Sequence, residues 1–308
     1  MPSIIVVGSA NMDIVTRVSH YPKPGETIFG QQTSFYSGGK GANQSIAAKR
    51  SGAEVHFVGA LGNDFFGNEL YRILREEAID LDGMLKKAVN TGLALITVNK
   101  AGENNIILSP GANNELLPSD LDEIDWEAYE AVLLQNEIPW ETNACVLDQA
   151  KDKGIKVVFN PAPAVQLSPE TLKQIDLLIL NEHEATSLTS IPIRHIDEAK
   201  AAAKEIILQG AKEVILTLGL QGSLYMNDKM EVVECPAYPI ETVDTTGAGD
   251  TFIGSFVVRY LLKQDILSCL KYASAAAALA VSINGAQKAM PSAAEVAAFL
   301  AEKGELVT

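Results

Sequence analysis

The sequence predicts an α/β fold, a doubly wound and mainly parallel central sheet flanked by helices, and three observations carry that reading. Short continuous apolar runs at residues 3–8, 54–61, 131–134, 156–159, 176–180 and 214–219 have the length and composition of strands buried on both faces. Helix-like stretches at residues 44–51, 68–77, 142–153, 196–209, 251–262 and 266–283 fall between and after them, as parallel strands require. A polar stretch follows almost every apolar run, which puts ligand-binding groups along the carboxyl edge of the sheet. No internal repeat or low-complexity linker interrupts the pattern, so residues 1–308 are read as one α/β domain.

Composition narrows the function classes. With 47% hydrophobic and 20% charged residues, the chain reads as an ordinary soluble globular protein. A net charge of −15 without any run of Lys or Arg argues against nucleic acid or an anionic membrane as partner. A nucleotide would have to be met by local donors and a metal, not by a positive field. Cys145, Cys235 and Cys269 are far apart and odd in number, which suggests neither a disulfide framework nor a metal cluster and fits a reducing cytoplasm. Met1-Pro2-Ser3 runs straight into a strand without a basic segment, so no signal peptide is expected. The longest apolar stretch, residues 275–281, is too short to span a bilayer.

Along the chain, Asn11 and Asp13 fall just past the first strand; on local evidence a polar turn with Asx hydrogen bonds explains them better than a hydroxyl-binding pair, and only the glycine motif at residues 38–43 shifts that balance. Residues 14–18 and 26–36 read as short strands around a Pro-Lys-Pro-Gly turn, and residues 91–108 as a hairpin; both lie outside the regular alternation. Gly38-Gly39-Lys40-Gly41-Ala42-Asn43 precedes a helix but is no P-loop, because Ala42 stands where Ser or Thr is required. Lys40 is either a solvated helix-start lysine or a group reaching into a site. Asn63-Asp64 looks like a helix cap. Glu137 sits at a strand end, as a loop acid or a site acid. Asn181 and Glu184, three apart on a first helical turn, face one way and suit Mg²⁺-bound water, though a capping role also fits. His183 between them reads as a solvated residue. Gly219 and Gly222 in the turn 217–222 would let a nucleotide lie against the backbone, and residues 229–235 read as a further edge strand.

The most informative stretch is Val243-Asp244-Thr245-Thr246-Gly247-Ala248-Gly249-Asp250-Thr251-Phe252. Small residues at a helix start let the backbone approach a ligand, and free N–H groups of the first turn attract an anion. A carboxylate beside such a pocket makes sense if Asp250 faces a hydroxyl that loses its proton while a phosphoryl group sits in the pocket. A Gly-rich turn capping a helix is the plainer alternative.

Taken together, Asp244-Thr245-Thr246-Gly247-Ala248-Gly249-Asp250 and Gly38-Gly39-Lys40-Gly41-Ala42-Asn43 resemble the paired signatures of the ribokinase-like sugar kinases, over nearly the whole chain from about Gly8 to Pro291. The resemblance implies a small β-sheet lid, from about residues 14–36 and 91–108, that covers the sugar and joins a partner subunit's sheet in a homodimer. It implies ATP-dependent phosphorylation of D-ribose at O5 to D-ribose 5-phosphate, with Asp250 as general base and the backbone of Gly247, Ala248 and Gly249 as anion hole. Asn11, Asp13 and Asn43 would bind sugar hydroxyls, with Gly38 and Gly39 allowing close approach and Lys40 and Glu137 beside them. ATP would lie on Thr217, Gly219, Leu220, Gln221 and Gly222, with Asn181, Gly249 and Ser274. Mg²⁺ would sit near Asn181 and Glu184, and K⁺ in a site of Asp244, Thr246, Ala280, Ile283, Gly285 and Ala289. A kinase for 2-deoxyribose, another sugar or a nucleoside is the alternative; a non-catalytic sugar- or nucleotide-binding regulator is a second, against which the intact Asp250 argues.

Overall fold

The computed structural model describes residues 1–305; residues 306–308 of the expected domain lie outside the described residues. Strands β1 (Ser3–Val7), β2 (Asn11–Arg17) and β3 (Gln32–Gly38) precede helix α1 (Lys40–Arg50). Then come β4 (Glu54–Gly62), α2 (Phe65–Glu76), β5 (Met84–Lys87) and the hairpin of β6 (Gly92–Val98) and β7 (Asn104–Ser109). The alternating part holds β8 (Ala131–Gln135), α3 (Trp140–Lys153), β9 (Lys156–Asn160), α4 (Pro169–Leu172), β10 (Leu177–Asn181), α5 (Glu182–Thr189), α6 (Ile196–Gln209) and β11 (Glu213–Thr217). β12 (Ser223–Asn227) and β13 (Val232–Cys235) lead to α7 (Ala248–Leu261), α8 (Ile266–Val281), α9 (Ala286–Ala289) and α10 (Ala293–Glu302).

Nine strands form the central sheet in the order β13-β12-β11-β10-β9-β8-β1-β4-β5. It is parallel apart from the β11–β12 and β12–β13 pairs. β1 lies between β4 and β8, so the chain leaves it in both directions, and the carboxyl ends of β1 and β8 open a crevice at the switch point. Helices cover both faces. Ile5 and Val7 enter one core with Leu134, Phe159 and Leu180; Ile4 and Val6 enter the other with Phe57, Leu133 and Phe256. Both sides of β1 are therefore apolar, which is why its sequence shows no alternation.

A second sheet, in the order β3-β2-β6-β7, forms the expected small β-layer, with shifted bounds. β2 begins at Asn11 and β3 at Gln32, and residues 26–30 are not strand. Pairing of Asn11 with Gly38 and Asp13 with Tyr36 draws both polar residues into the ladder, and being two apart they share a face. Helices α1 and α7 also start earlier than the apolar pattern indicates. Gly39 (φ 89°) and Gly247 (φ 78°) hold the positions before them in a positive-φ conformation that a side chain opposes. The two glycine motifs are thus first helical turns. β5, β12, α4 and α10 were not expected. α10 carries a readable signal, a capping box between Ser292 and Glu295. Asp64 does cap α2, accepting from the Gly67 N–H. Among the described residues no helix is long and apolar enough to cross a membrane.

One glycine fixes how the two motif helices meet. A Cβ on Gly254 of α7 would lie 2.6 Å from Ala47 Cβ and 2.7 Å from both the Ala48 nitrogen and the Gln44 carbonyl oxygen of α1. Replacing an exposed helical glycine by alanine stabilises by about 0.8–1 kcal/mol. Here the sign should reverse: overpacking of this kind costs about 1–3 kcal/mol. Gly254→Ala is expected to lower the urea midpoint; a raised midpoint would show that the helix contact is not tight.

Candidate active site

Asp250 stands in the first turn of α7 and is 8% exposed. Its Oδ2 accepts a hydrogen bond from Asn43 Nδ2 at 2.8 Å, and its Oδ1 one from Gln44 Nε2 at 2.9 Å. Both amides come from α1, which the Gly254 contact holds against α7. Asn43 Oδ1 in turn accepts from Gln287 Nε2 at 2.9 Å. Gln44 Nε2 also reaches Asn160 Oδ1 at 3.2 Å, and its carbonyl accepts from Gln135 Nε2 at 2.7 Å. Gln44, Gln135, Asn160 and Gln287 are absent from the sequence-based site. Gln135 and Asn160 end β8 and β9, so the strand-end criterion applied to Glu137 and Asn181 would have found them.

On the other side lie the residues expected to meet a sugar. Asn11 Oδ1 accepts from Asn113 Nδ2 at 2.7 Å, and Asn113 Oδ1 accepts the Ala10 N–H at 3.0 Å, so Asn113 fixes the start of β2. A Cβ on Gly38 would lie 2.3 Å from Asp13 Oδ2, so only glycine leaves room for that carboxyl group. Gly39 is as tight, with Ala10 Cα 2.7 Å from its would-be Cβ. Glu137 Oε2 accepts from Ser9 Oγ at 2.5 Å and from the Lys40 N–H at 3.0 Å, which sets an acid at the start of α1. Glu137 is therefore part of the cluster, not a surface-loop acid.

The charges interact strongly. Burial, reinforced by Glu137 and Asp250 and only partly offset by Lys40, pushes the Asp13 carboxyl up to about 7. Lys40 is not a solvated lysine: burial disfavours its charge, yet Asp250, Glu137, Glu184 and Asp13 together raise its pKa above the usual value. Burial also raises the Glu184 carboxyl, against hydrogen bonds from Asn181 and Asn160 and the charge of Lys40.

Beyond Asp250 the crevice continues as a polar cavity of about 230 Å³ lined by Lys40, Asn160, Asn181, Glu184, Gly247 and Gly249. It opens into a more apolar cleft of about 390 Å³ lined by Thr217, Gly219, Leu220, Gly222, Phe252 and Ser274. Asn181 and Glu184 do form a capping box: Asn181 Oδ1 accepts the Glu184 N–H at 2.8 Å, and Glu184 Oε2 accepts the Asn181 N–H at 2.9 Å. Glu184 Oε1 takes the Asn181 amide at 2.9 Å. His183 is exposed, as expected. Gln221 is not brought into the cleft; its Nε2 donates to the Arg194 carbonyl at 3.0 Å on the outer surface. Of the expected anion-hole donors, the Ala248 N–H is already given to the Thr245 carbonyl at 3.3 Å, whereas Gly247 and Gly249 line the polar cavity.

Two ions implied by the sequence can be tested against these residues. Among the described residues no group of three or more His, Cys, Asp or Glu is arranged to hold a metal. The Glu184 oxygens are occupied by N–H donors, so the donor set fits a Mg²⁺ that keeps its waters and rides on a nucleotide. For K⁺, Asp244 accepts from the Thr246 N–H at 2.9 Å, Thr246 Oγ1 at 2.7 Å and the Gly285 N–H at 3.0 Å. These bonds outweigh burial and hold the Asp244 carboxyl below its usual value. The last of these bonds ties the loop before α7 to Gly285 in the turn between α8 and α9, and the half-buried Asp244 carboxylate is the anionic centre that a monovalent cation would need.

The pfkB family carbohydrate kinase pattern matches residues 1–293. Ribokinase of Lactococcus lactis subsp. lactis (strain IL1403) is 39% identical over 306 residues, covering 98% of both chains. Deoxyribokinase of Salmonella typhi is 35% identical over 293 residues, covering 94% of this chain and 95% of the relative. The structure of Arabidopsis thaliana ribokinase complexed with ribose and ATP superposes with a TM-score of 0.91 at 33% identity, covering 97% of this chain and 98% of that one. The match spans both sheets and both glycine motifs, and by it the chain belongs to the pfkB family of carbohydrate kinases.

Proposed function

We propose that this sugar kinase transfers the γ-phosphoryl group of ATP to O5 of D-ribose, giving D-ribose 5-phosphate and ADP. The observation that carries the reading is the position of Asp250. Its carboxylate lies between the Asn11–Asp13–Asn43 cluster and the polar cavity that leads into the apolar cleft. The relatives called ribokinase support ribose; the deoxyribokinase at 35% identity keeps 2-deoxyribose as the competing substrate. In this reading Asn11, Asp13 and Asn43 bind the sugar hydroxyls, and Gly38 and Gly39 admit the ring to the backbone. Asp250 takes the O5 proton, O5 bonds to the γ-phosphorus, and the bond from phosphorus to the β–γ bridging oxygen breaks. N–H groups at the start of α7 and the Lys40 ammonium receive the transferring oxygens. Asn181, Thr217, Gly219, Leu220, Gly222 and Ser274 hold the nucleotide, without Gln221. Mg²⁺, beside Asn181 and Glu184, supplies charge neutralisation of the phosphates when bound. Asp244, with Thr246, Ala280, Ile283, Gly285 and Ala289, would hold K⁺ and supply a fixed positive charge near the loop before α7.

The lid supports a homodimer. β7 is exposed along its length, and apolar side chains emerge on both faces of the sheet, with Ile106 56% and Ile107 67% exposed. Three free cysteines support a reducing, cytoplasmic setting.

Four outcomes test this reading. Asp250→Asn should lower kcat by about 10²-fold or more with an unchanged melting temperature, the low end of general-base contributions; a near-normal kcat would remove Asp250 from the mechanism. K⁺ should raise the rate above that in Na⁺, and equal rates would leave the Asp244 site without a role. Ile106→Lys with Ile107→Lys should convert a dimer to a monomer on sedimentation; an unchanged mass would exclude the lid interface. The fourth concerns pH. The Asp13 carboxyl is raised to about 7 from an ordinary 3.8, so the folded chain holds a proton the unfolded chain has lost between those values. Its contribution to stability therefore falls as pH rises through that window. Asp13→Asn should gain more melting temperature over the parent at pH 8 than at pH 5; an equal gain at both would contradict the shift.

A further inference from the structure

An ionised carboxylate only accepts hydrogen bonds. That fixes the orientation of the amides around Asp250, which atomic positions alone leave open. Facing Oδ1, Gln44 must present its NH₂ group. Both hydrogens are then used, on Asp250 Oδ1 at 2.9 Å and Asn160 Oδ1 at 3.2 Å. The Gln44 carbonyl must look for a donor elsewhere and finds Gln135 Nε2 at 2.7 Å. Gln44 is fully buried, at 0% exposure, with all three of these polar contacts filled. The supporting residue is held less comfortably. Gln135 Oε1 is buried without a partner, and Gly8 opposite has no side chain where a Cβ would lie 2.1 Å from that oxygen. A core selected for packing alone has little reason to keep an orphaned amide oxygen. Asp250 Oδ2, in contrast, is held by Asn43, which belongs to the sugar-side cluster.

We propose that Gln44 is a positioning residue for the base: supported by Gln135, it holds Asp250 Oδ1 toward the interior, so that Oδ2 is the oxygen presented to the sugar hydroxyl. Through Asn160, whose Nδ2 reaches Glu184 Oε2 at 3.3 Å, the same amide sets the base relative to the Asn181–Glu184 element. This rests on the reading of Asp250 as general base.

The test is a double-mutant cycle measured with D-ribose and Mg-ATP. Gln44→Met keeps length and removes both donors. It should lower kcat by about tenfold or more while each KM stays within about threefold, the pattern of an interaction that matters in the transition state. In the Asp250→Asn background the same substitution should add nothing, because the group it positions is gone. Multiplicative losses, or a loss confined to KM, would overturn the proposal and leave Gln44 a structural residue. Should Gln44→Met not fold, Gln135→Leu removes the supporting donor and the orphaned oxygen together. It should lower kcat with KM and melting temperature retained, and an unchanged kcat would overturn the proposal. If Asp250→Asn itself keeps parental kcat, the base assignment fails; if Asp250→Asn collapses and Gln44→Met does not, only the positioning role fails.

Discussion

The site depends on the contact between the first turns of α1 and α7. Asp250 lies in one, Asn43 and Gln44 in the other, and they meet because Gly254 lets the two helices touch where any side chain would hold them apart. Around that contact the rest is arranged. α1 starts at Lys40 because Gly39 adopts a positive φ, and Gly41 fits against the turn after β1, where a Cβ would lie 2.6 Å from the Ser9 nitrogen. The crevice between β1 and β8 supplies Ser9 and Glu137, and β2 of the small sheet brings Asp13 close enough for its charge to act on theirs.

Electrostatics makes this a costly place to keep acids. Asp13, Glu137, Glu184 and Asp250 surround one half-buried lysine. Asp13 and Glu184 are pushed toward their neutral forms, and Lys40 is held charged. The direct hydrogen-bond partners of Asp250 are the neutral amides of Asn43 and Gln44, one on each carboxylate oxygen, and they fix its orientation. An anionic substrate entering such a crevice needs positive charge close by. In a chain of net charge −15 that charge must be local: Lys40, backbone N–H groups and ions.

Much of this was legible in the sequence, for identifiable reasons. Strands buried on both faces announce themselves as unbroken apolar runs, so β1, β8, β9, β10 and β11 could be read directly. The starts of α1 and α7 could not, because their first turns consist of small and polar residues whose helicity comes from the glycine before them. Asn11 and Asp13 read as a turn and are strand, because their ladder partners lie far along the chain. The glycine motifs, Asp250, Glu137, Asn181 and Glu184 could be picked from motif and strand-end position. Gln44 and Gln287 could not. Each finds its partner across a sequence separation of 206 and 244 residues, and a buried amide has no spacing signature. Gln221 shows the opposite error: its turn suits a nucleotide, but the side chain belongs to the surface.

The most direct measurement is kcat/KM for a panel of D-ribose, 2-deoxy-D-ribose, D-fructose and adenosine with Mg-ATP, with the phosphorylated position of each product read by NMR. The account predicts the highest kcat/KM for D-ribose and phosphate on O5. Phosphorylation at another oxygen, or preference for a nucleoside over every free sugar, would contradict it.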